Sequence, residues 1–96
     1  MKPKTCKDYL ALAREQSCVL CGSHHGVVSA HYTGLRQHSY GKGRGIKGND
    51  LLTAHLCQSC HGKFDNPLIR KSIETSEEFL HAIALTLMRN TDKLVG

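Results

Sequence analysis

Two short cysteine pairs carry the strongest chemical signal in this 96-residue chain: Cys18-x-x-Cys21 and Cys57-x-x-Cys60, with His61 directly after the last cysteine. Thiolates at that spacing form two knuckles able to place four sulfurs around one tetrahedral Zn²⁺. A four-thiolate sphere is closed and has no position for a reactive water, so the ion it holds is structural. His61 is then left for other chemistry. The knuckles also draw together His31, at the end of a predicted strand after the first pair, and His61, at the start of a predicted helix after the second. Asp65 follows His61 by four residues and shares its helical face. An imidazole and a carboxylate so placed could bind a hard divalent cation, Mg²⁺ or Mn²⁺, with water positions left open. Alternatively, Asp65 only ends the helix through an Asp-Asn-Pro turn.

The stretch from Gly34 to Gly48 offers a different chemistry. Gly34, Gly41, Gly43, Gly45 and Gly48 are interleaved with Arg36, Lys42, Arg44 and Lys47. Glycines let a backbone approach phosphates closely and the charge is of one sign, so these four cations are candidate nucleic-acid contacts. Four neutralised phosphates would give log K a slope of about −3.6 against log salt on duplex DNA. A flexible, solvated loop is the competing reading. Only Tyr40 offers a ring for base stacking there, so sequence recognition is expected to be weak. Of the other histidines, His24 and His25 are expected in a solvated turn, His38 in the basic loop, and His81 on the polar flank of the last helix. The sequence does not decide whether His55 points inward.

These groups need elements to hold them. Thr5-x-x-Asp8 reads as a capping box, and Tyr9, Leu10, Leu12 and Ala13 give an apolar face, which predicts a helix over about Cys6 to Gln16. Gly22 closes the first knuckle with a positive φ. Val27 to Tyr32 predicts a strand, with Val28, Ala30 and Tyr32 on one face and Val27, Ser29 and His31 on the other. Leu51 to Leu56 predicts a second, weakly alternating strand. Gln58 to Phe64 predicts a short helix ending near Asn66-Pro67. A second capping box, Thr75-x-x-Glu78, predicts the last helix, with a core stripe of Phe79, Leu80, Ile83, Ala84, Leu87 and Met88.

Length allows one domain with a modest core, for which zinc would act as a staple. The five cysteines are odd in number, and Lys4, Lys7, Asp8, Arg14 and Glu15 break any apolar leader. Both features point to thiols held on metal in a reducing cytoplasm rather than to disulfides. Cys6 is the cysteine left over, expected as a small core residue. No apolar run reaches the ~18 residues of a membrane span. The formal charge of +5 overstates the basicity, because four thiolates and one zinc ion together subtract two. Local clustering, not net charge, therefore suggests an acidic partner.

Taken in order, Cys-x-x-Cys, His31 on a strand, Asn49-Asp50, and Leu56-Cys-x-x-Cys-His61 resemble the HNH endonucleases, the zinc-stapled branch of the ββα-metal fold. The match runs from about Cys18 to Asp65. The length, the His61-x-x-x-Asp65 ending and the flanking helices resemble, within that superfamily, the small prophage-encoded family that includes YbcO. The resemblance implies a single α+β domain over 1–96. Its small zinc-stapled ββα-metal (treble-clef-like) core would span about 18–66, with flanking N- and C-terminal helices, the latter at about 76–90. It also implies a metal-dependent endonuclease acting on DNA. His31 would be the general base toward water, and His61 with Asp65 would bind the catalytic cation. Asn49 or Asp50 would orient His31 by a hydrogen bond. Ala30 stands where many members carry a further metal ligand. No small-molecule cofactor is implied, and the oligomeric state is open. The alternative function is a non-catalytic zinc-stapled DNA-binding module, in which His31 and His61 are only packed or hydrogen-bonded. A third reading is a protein-interaction module that docks a partner on an exposed stripe from Phe79 to Met88.

Overall fold

The computed structural model describes residues 7–37 and 50–91. The capping box at Thr5, Cys6, His38, Lys42, Arg44, Lys47 and Asn49 lie outside the described residues. Within them the chain runs α1 (Lys7–Ala11), a 3₁₀ turn (Leu12–Glu15), β1 (Val28–His31), β2 (Thr53–Leu56), α2 (Gln58–Asp65) and α3 (Ile73–Arg89). This is a small α+β arrangement built on one two-stranded antiparallel sheet. The first helix tightens to 3₁₀ geometry after Ala11 and stops where extended Gln16 donates its N–H to the Ala13 carbonyl at 3.2 Å. Tyr9 and Ala13 form its buried side.

The strands pair in a register that sets Val28 opposite Leu56, Ser29 opposite His55, Ala30 opposite Ala54 and His31 opposite Thr53. On β1 the predicted inner face holds at Ala30 and Tyr32, whereas Val28 is exposed at the strand's start. All four residues of β2 are buried, polar Thr53 and His55 included, so the strand is covered on both faces and neither faces solvent. Its outer edge is covered as well. The His55 N–H donates to Thr86 Oγ1 of α3 at 3.1 Å, and the His55 carbonyl accepts from Val19 in the first knuckle at 3.0 Å. A buried strand edge needs such partners for its amides.

The last helix begins earlier than Thr75 suggests. Ser72 is its N-cap, and the Ser72 Oγ accepts the Thr75 N–H at 3.1 Å. Thr75 and Ser76 are buried inside the first turns, so Thr75 is unavailable as a cap. Ser76 Oγ instead accepts the Leu35 N–H at 2.9 Å and donates to the Arg70 carbonyl at 3.3 Å. The helix is also rotated relative to the predicted stripe. Phe79 and Ile83 are buried and Leu80 and Leu87 pack at the core's margin, but Ala84 is exposed and Met88 is 66% exposed. Thr75, Ala82 and Thr86 take the inner positions instead. Small and hydroxylic residues win there because α3 packs closely on β2 and Thr86 must reach the His55 amide.

Three of the chain's few aromatic rings fill the centre. Phe64 stacks on Phe79 with centroids 4.7 Å apart, and Tyr32 meets Phe79 edge-on at 5.3 Å. Gly34 makes this packing possible: a Cβ there would lie 2.4 Å from the Tyr32 hydroxyl. Ser72→Ala is expected to lower stability by about 1 kcal/mol through loss of the cap. Urea unfolding checks this, and an unchanged midpoint would place the helix start elsewhere.

Candidate metal centre and the His31 site

The four cysteines converge. Gly22 takes a φ of 79°, which turns the chain so that its N–H donates to the Cys18 carbonyl at 2.9 Å. The Cys18 N–H donates to the Ser23 carbonyl at 2.8 Å and closes the first knuckle. The second knuckle is the N-terminus of α2: Cys57 is the N-cap and Cys60 lies in the first turn. The Gln58 N–H donates to the His25 carbonyl at 3.1 Å, joining the two knuckles. All four sulfurs lie within 4.8 Å of one another, and Cys21 Sγ is 3.5 Å from Cys57 Sγ. A tetrahedron with Zn–S bonds of 2.3 Å has edges of about 3.8 Å, so the group can hold a zinc ion. Among the described residues it is the one cluster of three or more side chains suited to a metal.

The thiols themselves ask for a cation. Burial disfavours a thiolate at Cys18, yet backbone groups of Cys57, Cys21 and Leu20 outweigh it and lower its pKa to about 6. At Cys60 burial, reinforced by the sulfurs of Cys57, Cys18 and Cys21, pushes the thiol up. Four sulfurs this close cannot all ionise without a positive ion among them.

His31 ends β1, and the sheet register returns Asp50 to its side. Thr53 lies opposite His31, Thr53 Oγ1 donates to the Asp50 carbonyl at 3.0 Å, and the Tyr32 N–H donates to the Leu52 carbonyl at 3.2 Å. The turn so fixed sets Asp50 Oδ1 2.8 Å from His31 Nε2, with both side chains largely buried at 16% and 12% exposure. In a neutral ring the Nε2–H donates to the carboxylate, which leaves the Nδ1 lone pair to accept a proton. Of the two candidates for orienting His31, Asp50 contacts it, and Asn49 lies outside the described residues.

His61 is half-buried and Asp65 exposed, one turn apart on α2. The His61 N–H donates to the Cys57 carbonyl at 2.9 Å, so its position depends directly on the knuckle. Thr33, two residues beyond His31, donates through Oγ1 to the Phe64 carbonyl at 3.1 Å. That bond fastens the exit of β1 to the end of α2 that carries Asp65. Arg36 is exposed, three residues further on.

The chain matches no protein-family model, and no curated protein or solved structure is significantly similar to it. What the site can do rests on its own residues. Among the described residues no helix is long and apolar enough to cross a membrane. His24, His25 and His81 are exposed, as expected for solvated histidines.

His55 is the histidine whose place the sequence leaves open, and it is fully buried. Its Nε2 faces the Asn90 amide at 3.5 Å, and its Nδ1 has no hydrogen-bond partner among the described residues. Asn90 in turn accepts from Gln16 at 3.3 Å. Burial first, and then the positive charge of Arg89, lower the His55 pKa from 6.5 to about 4. The folded state therefore holds His55 neutral where the unfolded chain already binds a proton. Stability from this group is fully present above about pH 6.5 and is lost as pH falls toward 4, by up to about 1.4 kcal/mol per pH unit. Urea unfolding in excess zinc at about pH 7 and about pH 5 is expected to show a larger loss for wild type than for His55→Gln, which cannot titrate. Equal losses in the two proteins would assign the acid sensitivity elsewhere.

Proposed function

We propose that this protein is a metal-dependent endonuclease of HNH type that hydrolyses phosphodiester bonds in DNA. The observation that carries the reading is the His31–Asp50 pair at 2.8 Å, held on a short strand beside a four-cysteine centre. A purely structural module has no need of a largely buried imidazole fixed by a carboxylate. The order β1, β2, α2, with one cysteine pair before the sheet and the other at the head of α2, supports a zinc-stapled ββα-metal core of treble-clef type.

His31 is the general base: Asp50 holds its Nε2–H, and Nδ1 takes the proton of the attacking water. Burial of the pair limits competing hydration, and the carboxylate stabilises the imidazolium that forms. His61 and Asp65 are the groups that would hold a catalytic cation, since an imidazole and an exposed carboxylate one helical turn apart suit two ligand positions. When bound, Mg²⁺ or Mn²⁺ supplies charge that polarises the scissile phosphate and stabilises the leaving oxygen. Buried Ala30, next to His31, offers no ligand, so phosphate and water oxygens would complete the sphere. Arg36 is the described member of the basic loop that would contact the DNA backbone.

One observation favours the second reading, a non-catalytic zinc-stapled DNA-binding module. Among the described residues, His61 and Asp65 belong to no group of three or more metal-suited side chains. Nicking of supercoiled plasmid with Mg²⁺ or Mn²⁺ separates the two. Cleavage that disappears in a folded, zinc-loaded His31→Ala variant supports the nuclease. DNA binding with no cleavage in either protein supports the module.

A further inference from the structure

Lys7 and Arg14 line one shallow hollow of about 290 Å³, with Leu10 and Ala11 between them. Both cations are exposed, and neither forms an ion pair among the described residues. The acids nearest in sequence, Asp8 and Glu15, are exposed and do not line the hollow. A lysine point charge and an arginine fork lining one concavity suit the oxygens of phosphodiesters.

The place of the hollow gives it meaning. Ser29 Oγ donates to the Leu10 carbonyl at 2.9 Å, so α1 is fastened to β1 at the residue that lies between the two cations. Ser29 and His31 are alternate residues of β1 and project from the same face. They stand about 6.7 Å apart along the strand. Duplex DNA rises about 3.4 Å per nucleotide along its axis, so that separation is on the scale of about one or two nucleotides. A backbone with its scissile phosphate at His31 that followed this face of β1 toward Ser29 would meet α1 within a few nucleotides. Lys2 and Lys4 add positive charge to the sequence just before this helix.

We propose that the Lys7–Arg14 hollow is a second phosphate-binding site, which seats the DNA backbone a few nucleotides from the bond at His31. It rests on the reading of the chain as a DNA nuclease and adds a contact outside the glycine-rich basic loop. Its role is to fix the direction in which the backbone crosses the sheet, since phosphate contacts position without reading sequence.

The test is fluorescence anisotropy of the zinc-loaded full chain on a labelled duplex of about 20 base pairs, over a range of salt and without Mg²⁺ or Mn²⁺. Lys7→Gln/Arg14→Gln is expected to make the slope of log K against log salt shallower by about 1.8 and to weaken binding about tenfold or more near 0.1 M salt. The charge-conserving exchange Lys7→Arg/Arg14→Lys keeps the slope. Lys71→Gln, an exposed cation before α3, leaves it within about 0.3 of wild type. Zinc content and unfolding midpoint show that each variant is folded. If wild type binds and the double glutamine variant keeps the full slope, the hollow is overturned while the DNA reading stands. If Lys71→Gln lowers the slope by about one, the attraction is diffuse and the hollow is no site. If wild type does not bind the duplex, the DNA reading fails and takes the hollow with it.

Discussion

Replacing His31 with alanine is expected to lower the rate of plasmid nicking by about 10² to 10⁴, the usual contribution of a positioned general base. The variant should keep its zinc and its affinity for DNA. His31 closes the last pair of a four-residue strand, and the packing of that strand rests on Ala30 and Tyr32, not on the imidazole. Asp50→Asn should give a smaller loss, because an amide can still touch Nε2 but cannot stabilise an imidazolium as a carboxylate does. Rates in single-turnover nicking, with binding measured separately, check both. A His31→Ala protein that binds DNA, holds zinc and cuts at the wild-type rate would remove this histidine from the chemistry.

The second large effect is expected on stability. Stripping zinc with a strong chelator, or replacing Cys57 with serine, should unfold the domain at ordinary temperature. Apparent binding energies of structural zinc run at about 10–16 kcal/mol, comparable to or larger than the whole stability of a small domain at about 5–15 kcal/mol. Among the described residues no second metal-suited cluster could replace that contribution. The core rests on three aromatic rings and a two-stranded sheet, and a lone hairpin is marginal in water. Cys57 is also the N-cap of α2, so its loss would disturb His61 through the Cys57 carbonyl that accepts the His61 N–H. Circular dichroism with and without chelator reads the unfolding, and metal analysis should give one zinc per chain. A Co²⁺-substituted protein should show the visible bands of tetrahedral thiolate coordination. A chelated protein with an unchanged spectrum would mean that the cysteines do not staple the fold.

Much of the organisation could be read locally. The cysteine pairs are two residues apart, and the positive φ at Gly22 follows from the turn they require. α2 follows the second knuckle at the predicted place, and β1 and β2 fall inside the segments predicted as strands. The last helix shows the limit of that approach. Thr75-x-x-Glu78 and Ser72-x-x-Thr75 are both acceptable starts by local chemistry. The choice falls on Ser72 because Thr75 and Ser76 are needed inside, where Ser76 Oγ serves Leu35 and Arg70. The stripe failed at Ala84 and Met88 for a similar reason. Helical periodicity gives the width of an apolar face, but the partner decides its centre, and β2 draws Ala82 and Thr86 inward.

By itself the sequence determined which four cysteines could hold a metal, because thiolate spacing within a knuckle is a property of a few adjacent residues. It also determined the order of the main elements among the described residues, which follows from short-range periodicity. Only the tertiary structure decided that Asp50 contacts His31, that His55 is buried beside Asn90, and that Lys7 and Arg14 share one hollow tied to the strand of His31. Most of these depend on strand register, helix rotation and hydrogen bonds between groups 19 to 35 residues apart in the chain. No local pattern encodes such separations; they are set by which surfaces bury one another.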